Sequence, residues 1–233
     1  VKLEQAGADE VVTLDHNNDD LDDYASLTLD RNSATQGAEV MLFIVDQQLN
    51  IDPTDEDVVV FKVATGGVAS TSSVAFTNGT IPWEWADAGT MTAFVAAGDG
   101  FGFGDNGKLL INNNTSGAAV AVLDKAAATI DDTVIGTTAG FTYLVFYEDA
   151  DNVGTFSNVD DNDQANLEVN ALAKRGTTAT FDYNDSAQSF IVANDFGTID
   201  MDESSVGDEW NSGEALTVTL RDQDLNKNTL SDE

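Results

Sequence analysis

Two loops in this chain place side-chain oxygens at alternate positions, Asp46, Gln48, Asn50 and Asp52 in one and Asp222, Asp224, Asn226 and Asn228 in the other. A hard cation such as Ca²⁺ takes six to eight oxygen ligands at roughly 2.4 Å, and alternating carboxylates and amides on a curled loop can supply them. The spacing is that of the start of an EF-hand loop. Ile51 and Lys227, however, stand where that motif needs Gly, no bidentate Glu follows in place, and the flanks read as strands rather than helices. Two readings stay open: a cation-binding junction, or a solvated acidic turn closed by Asx hydrogen bonds. Open loops of this kind hold Ca²⁺, or another hard divalent cation, weakly, at about 10⁻⁴ to 10⁻³ M.

Other stretches share the character. In DHNNDDLDD, Asp15, Asn17 and Asp19 alternate and Asp22 and Asp23 follow, five aspartates in nine residues that repel one another unless a cation sits among them. Glu148, Asp149 and Asp151 with Asn152 form a third cluster, and Asp160, Asp161 and Asp163 a fourth. Sequons for N-glycosylation stand at Asn78, Asn113, Asn114 and Asn184, in segments rich in turn residues.

Catalytic constellations are sparse. Gly102 to Lys108 satisfies most of a phosphate-loop pattern, but Leu109 rather than Ser or Thr follows the lysine, and the next residues read as a strand rather than a helix. His16 is the single histidine and lies in an acidic stretch, so a Ser-His-Asp triad would have to use it, and no G-x-S-x-G elbow is present. Among 42 acids a glycosidase-like pair carries no signal of its own. Trp83 and Trp85 flank Glu84, a pattern that suits core or interface anchoring better than a sugar platform. The expectation is that the protein is not an enzyme.

The elements that position the two oxygen-rich loops are copies of one another. GAEVMLFIVDQQLN, from Gly37 to Asn50, matches GEALTVTLRDQDLN, from Gly213 to Asn226, without a gap: Gly37 answers Gly213, Asp46 answers Asp222, and Asn50 answers Asn226. Upstream, Leu27 and Leu29 answer Ile199 and Met201, with an intervening loop four residues longer in the second copy. Each copy reads as a strand, a glycine turn, a second strand and an acidic loop. Leu216, Val218 and Leu220 alternate with Thr217, Thr219 and Arg221, the period of two of a half-buried strand. The first copy carries Met41, Phe43 and Val45 between Val40, Leu42 and Ile44, which predicts cover on both faces.

This match resembles the opening of a repeated immunoglobulin-like module. It is similar to the tandem β-sandwich domains of archaeal surface-layer (S-layer) proteins, particularly those of marine ammonia-oxidising archaea, where strands ending in D-x-D-L-N recur. The resemblance covers the two copies, and residues 58 to 140 add little to it. It implies tandem Ig-like modules in a secreted structural glycoprotein that self-assembles into a cell-surface lattice, an extracellular anionic coat that gathers small cations such as ammonium.

Composition fits a folded chain under unusual charge. The 42% hydrophobic content of the 233 residues is enough for a sizeable core, while 42 acids against 9 bases give a net charge of −33. Nucleic acid, which needs stripes of Lys and Arg, is a poor partner, and none is expected. Self-repulsion on this scale is offset by high salt or bound cations, so marine or saline exposure is expected. There is no cysteine and no apolar run near the ~20 residues of a membrane helix; the sequence opens on VKLEQ rather than on a basic-then-apolar leader, so for a secreted protein the leader is expected to have been removed.

Short strand candidates broken by Gly, Asn and Asp predict an all-β fold. They fall at 58–65, 90–96, 108–112, 119–123 and 141–147, with three more between 167 and 194; only Leu123 to Asp132 has a composition that could turn helical. The domain reading is the end of a preceding module and an acidic junction over 1–23, one Ig-like sandwich over 24–194, and the start of a following module over 195–233. In the second copy the strand 216–220 is then expected to lack the sheet that should cover it, so that either a longer protein supplies that cover or the strand is donated to a neighbour. Rival functions are a filament subunit built by strand pairing, and a carbohydrate-binding adhesin using Trp83, Trp85 and Trp210.

Overall fold

A computed structural model describes residues 2–5, 8–11, 24–50, 52–64, 69–76, 109–113, 118–124, 131–134, 141–160, 163–184, 186–202, 204, 209 and 211–231. Its strands are β1 (Lys2–Gln5), β2 (Ala8–Val11), β3 (Ser26–Leu29), β4 (Ser33–Ala34), β5 (Leu42–Val45), β6 (Asp57–Ala64), β7 (Ala69–Phe76), β8 (Leu109–Asn113) and β9 (Val120–Asp124). They continue with β10 (Asp131–Val134), β11 (Phe141–Glu148), β12 (Thr155–Ser157), β13 (Leu167–Val169), β14 (Thr178–Tyr183), β15 (Gln188–Val192), β16 (Thr198–Met201) and β17 (Val218–Arg221). The fold is all-β, and among the described residues no helix is long and apolar enough to cross a membrane.

Alternation dictates how the sheets meet. Along β14, Ala179, Phe181 and Tyr183 turn inward while Thr178, Thr180 and Asp182 turn out; on its neighbour β8, Leu109 and Ile111 sit opposite Tyr183 and Phe181 and are fully buried. A six-stranded sheet of order β3-β5-β12-β11-β6-β7 and a four-stranded sheet of order β4-β15-β14-β8 share one core, which a three-stranded sheet of order β10-β9-β13 extends through Val120, Val122, Leu167 and Val169. Phe61 of β6 anchors the centre, edge-on to Phe146 at 5.2 Å and to Tyr183 at 6.1 Å between ring centroids.

In three places the structure differs from the sequence expectations or adds to them. The expected double cover of β5 is only partial: Leu42 and Ile44 are fully buried and Met41 joins a small cluster with Val159 and Ala165, but Val45 is 38% exposed. The Ser- and Thr-rich segment after residue 65 contains β7, whose sequence ASTSSVAF shows no apolar alternation. Near the start, β1 and β2 pair as an antiparallel hairpin, and residues 12–23, where an acidic junction is expected, lie outside the described set. The candidate at 90–96 and residues 125–130 of the candidate helix also lie outside it.

The internal repeat is present in three dimensions, in its strand register, its turn glycine and its Asx turn. In the β3–β5 hairpin Leu27 faces Ile44 and Leu29 faces Leu42; in the β16–β17 hairpin Ile199 faces Leu220 and Met201 faces Val218, the same register at matching positions. The Asp30 N–H donates to the Met41 carbonyl at 3.1 Å, and its counterpart Asp202 donates to Thr217 at 2.9 Å. Gly37 and Gly213 both take positive φ, +70° and +94°, the backbone region glycine enters without strain. The copies differ in cover. Leu27, Leu42 and Ile44 lie in the core, whereas Ile199, Met201, Val218 and Leu220 are 68%, 55%, 52% and 55% exposed, and β17 pairs with β16 alone among the described strands.

Candidate functional site

Both oxygen-rich loops are shaped by local chemistry first. Asp46 Oδ1 accepts the Gln48 N–H at 2.8 Å, and the Leu49 N–H returns to the Asp46 carbonyl; in the second copy Asp222 Oδ1 accepts the Asp224 N–H at 3.0 Å, and Leu225 N–H returns to Asp222. This is the Asx turn that an aspartate makes with the residue two positions on. Asp222 thereby caps a short 3-10 helix, Gln223–Leu225.

Beyond the turn the loops diverge. Asp46 is buried, and its Oδ2 accepts the Tyr183 hydroxyl at 2.5 Å from the facing sheet. Asn50 donates to Asn152 Oδ1 at 2.9 Å, and Asp52 accepts from the Thr54 hydroxyl and N–H at 2.6 and 3.0 Å. These two bonds, the hydroxyl's first, hold the exposed Asp52 carboxyl below its ordinary range, as Ser204 does for Asp202. Glu148 is buried at the same end, taking the N–H groups of Val153, Gly154 and Asp57. Partial desolvation raises the pKa of the largely exposed Asp149 carboxyl above the ordinary value, a hydrogen bond with Ser157 opposes the rise, and the Glu148 charge adds to it. Asp151 stands exposed in the turn between them. Gly154 is required where it lies: φ is +65°, and a Cβ there would come 2.5 Å from Gln47 Nε2.

The second loop is sewn to the first copy. Asp224 accepts the Asp195 N–H on both oxygens, at 3.0 and 3.1 Å. Arg31 donates to the carbonyls of Asn226, Glu39 and Lys227 at 2.9, 2.6 and 2.6 Å, while Lys227 Nζ reaches the Gln36 carbonyl at 2.8 Å. Asn228 is buried, accepts from Leu230 and Ser231, and donates to Glu39 Oε2 and the Asp163 carbonyl. A cleft of about 330 Å³ runs along this junction, lined by Arg31, Thr35, Ala193, Asp195, Asp224 and Asn226.

The oxygens of Asp46, Asp52, Asp222, Asp224 and Asn228 serve hydrogen bonds within the protein, whereas Asn50 Oδ1 is buried without a partner; among the described residues no group of three or more His, Cys, Asp or Glu side chains is arranged to hold a metal ion. Asp15, Asn17, Asp19, Asn78, Asn114, His16 and all three tryptophans lie outside the described residues. Asn184 occupies a turn at φ +52°. Asn113 is buried, its Nδ2 donating to the Val120 carbonyl and its Oδ1 accepting from Ala119 and Val120, so a glycan on that nitrogen would displace part of the core.

No known protein-family model matches the chain, and no curated protein does. The surface-layer resemblance stands on the repeat alone.

Sequence reasoning passed over Arg31, Tyr183 and Asn158. Asn158 is fully buried, its Oδ1 accepting the Leu42 N–H at 2.7 Å and its Nδ2 donating to Val40, so one side chain stands in for a further ladder step beside β5. For Arg31 a signal existed: with 9 bases in the chain, each one placed inside the repeat is a candidate structural donor.

Proposed function

We propose that the protein is a structural component of an extracellular coat, built of Ig-like modules in tandem and assembling with copies of itself into an anionic cell-surface lattice of the S-layer type. The observation that carries the reading is the second hairpin, which repeats β3–β5 in register, turn and cross-bond and is joined to the first module through Arg31 and Lys227. A repeated unit with a bonded junction suits an extended array, where each module contacts its neighbours and the whole bears load. The net charge of −33 supports the rest: such a surface concentrates small cations, ammonium among them, and depends on salt for its compactness. Ca²⁺ bridging at the junction loops, and in the Asp15 to Asp23 stretch, belongs to this proposal, as does glycosylation at Asn78, Asn114 and Asn184. The role is architectural rather than enzymatic.

Electron microscopy of the native material tests it. A two-dimensional lattice is the expected result, with ammonium enriched over a neutral solute in the isolated coat. One-dimensional fibres would move the protein to the filament class, and glycan binding lost on Trp83→Ala would move it to the adhesins.

A further inference from the structure

The hairpin β16–β17 is a face whose cover can be specified residue by residue, because its twin is covered in the same chain. Ile199 and Leu220 are opposite one another, as are Met201 and Val218, so all four project from one face; Thr198, Asp200, Thr219 and Arg221 occupy the other. The apolar face is open, and so is the outer edge of β17 among the described strands. On the twin, that edge is filled by β12, which runs antiparallel and sets Phe156 opposite Ile44, Thr155 opposite Val45 and Ser157 opposite Phe43. The twin's apolar face lies in the core with Phe181, Tyr183 and Phe190 of the facing sheet, and its loop aspartate takes the Tyr183 hydroxyl. Asp222 uses Oδ1 in its turn as Asp46 does, and no hydrogen-bond partner for its Oδ2 is found among the described residues.

We propose that β16–β17 is a docking surface for a polypeptide segment with the strand chemistry of residues 57–192. That segment adds one antiparallel strand to the free edge of β17, with an aromatic residue opposite Leu220, lays an apolar sheet over Ile199, Met201, Val218 and Leu220, and donates a phenolic hydroxyl to Asp222. The occupant is thus the complement of a module and not a second copy of the hairpin. A face-to-face pairing of two hairpins would leave the β17 edge without its strand, an edge-to-edge pairing would leave the apolar face open, and neither brings a phenolic donor from TIDM or VTLR, whereas a module complement satisfies all three. The proposal rests on the tandem-module reading but not on the coat, so a protein that forms no lattice leaves it standing.

The test uses the full chain extended after Glu233 by a second copy of its own residues 51–194 as the probe, compared with the unextended chain by amide hydrogen exchange. In the extended chain the amides of 218–221 are expected to exchange at least ~100-fold more slowly, because an edge strand becomes an interior one. Leu220→Asp in the extended chain should return them to the unextended rate while residues 26–45 keep their protection. Unchanged exchange at 218–221 overturns the proposal. A second variant guards against a defective extension: Ile199→Leu, Met201→Leu, Val218→Leu and Leu220→Ile together install the first copy's apolar set. If only that variant gains protection, the native hairpin is not a docking surface of this chemistry and the proposal fails. Sedimentation of the unextended chain supplies the remaining arm. A monomer is expected across micromolar concentrations, and self-association abolished by Leu220→Asp would assign the face to a second copy instead.

Discussion

The hydroxyl of Tyr183 donates to Asp46 Oδ2 at 2.5 Å across 137 residues of sequence, tying the acidic loop of the first repeat to the sheet that faces it. Both residues are buried, Tyr183 completely and Asp46 to 3% exposure. In this copy Asp46 is a polar bolt between two layers. Removing the hydroxyl leaves that oxygen buried without this donor, so Tyr183→Phe is expected to cost about 1–3 kcal/mol. Chemical unfolding of Tyr183→Phe, Asp46→Ala and the double variant checks it, with the double variant less destabilised than the sum of the two. Strict additivity would mean the contact contributes nothing.

Arg31 supplies the second prediction. Its guanidinium serves three carbonyls at once, two of them in the second loop, a fork that an ammonium cannot reproduce. Arg31→Lys should therefore release residues 223–231 from the first copy, detected as faster amide exchange and earlier proteolytic cutting there. The cost to the module is expected to be about 1–2 kcal/mol, since the Glu39 carbonyl also loses a partner. If exchange across 223–231 does not change, the junction is held by Asn228 and Lys227 instead.

The pH dependence of Asp149 has a definite sign. Partial desolvation raises its pKa above 3.8 in the folded protein, so the folded state resists its ionisation; this carboxyl favours folding most below the unfolded value and loses that advantage as pH rises through the folded one. Asp149→Asn should accordingly raise the melting temperature at pH 7, with the gain vanishing below pH 3.8. A gain that persists in acid would point to packing rather than charge. Asp52 and Asp202, whose pKa values are lowered, act in the opposite sense, their contribution lost only as pH falls through those values.

Calcium distinguishes specific sites from general screening. A site of about 0.3 mM affinity exposed to about 10 mM calcium adds about 2 kcal/mol to folding. Chelation should then lower the melting temperature more than removing sodium of equal ionic strength does. Equal stabilisation by calcium and by sodium at matched ionic strength would leave screening of the −33 charge as the whole effect.

What the sequence determined by itself was whatever local chemistry and periodicity dictate. The period of two along β14 and β17 assigns strands and faces, because successive side chains point to opposite sides of a pleated strand, while the unbroken apolar run of β5 assigns a strand but no face. The match of Gly37 with Gly213 and of Asp46 with Asp222 carries the turn and the loop, since a positive φ and an Asx bond involve only residues one or two apart. Hence the two hairpins are legible as one structure written twice, and β7 is not, for ASTSSVAF lacks an apolar stripe. Only the tertiary structure decided what each copy does. Asp46 is buried because Tyr183 arrives from a strand more than a hundred residues away, and Arg31 is a junction residue because the second loop folds back onto Glu39. Ile44 and its counterpart Leu220 hold the same apolar position in the repeat, yet that position is core in one copy and surface in the other. Burial depends on which distant strands close over a hairpin, and that information is absent from the hairpin's own residues.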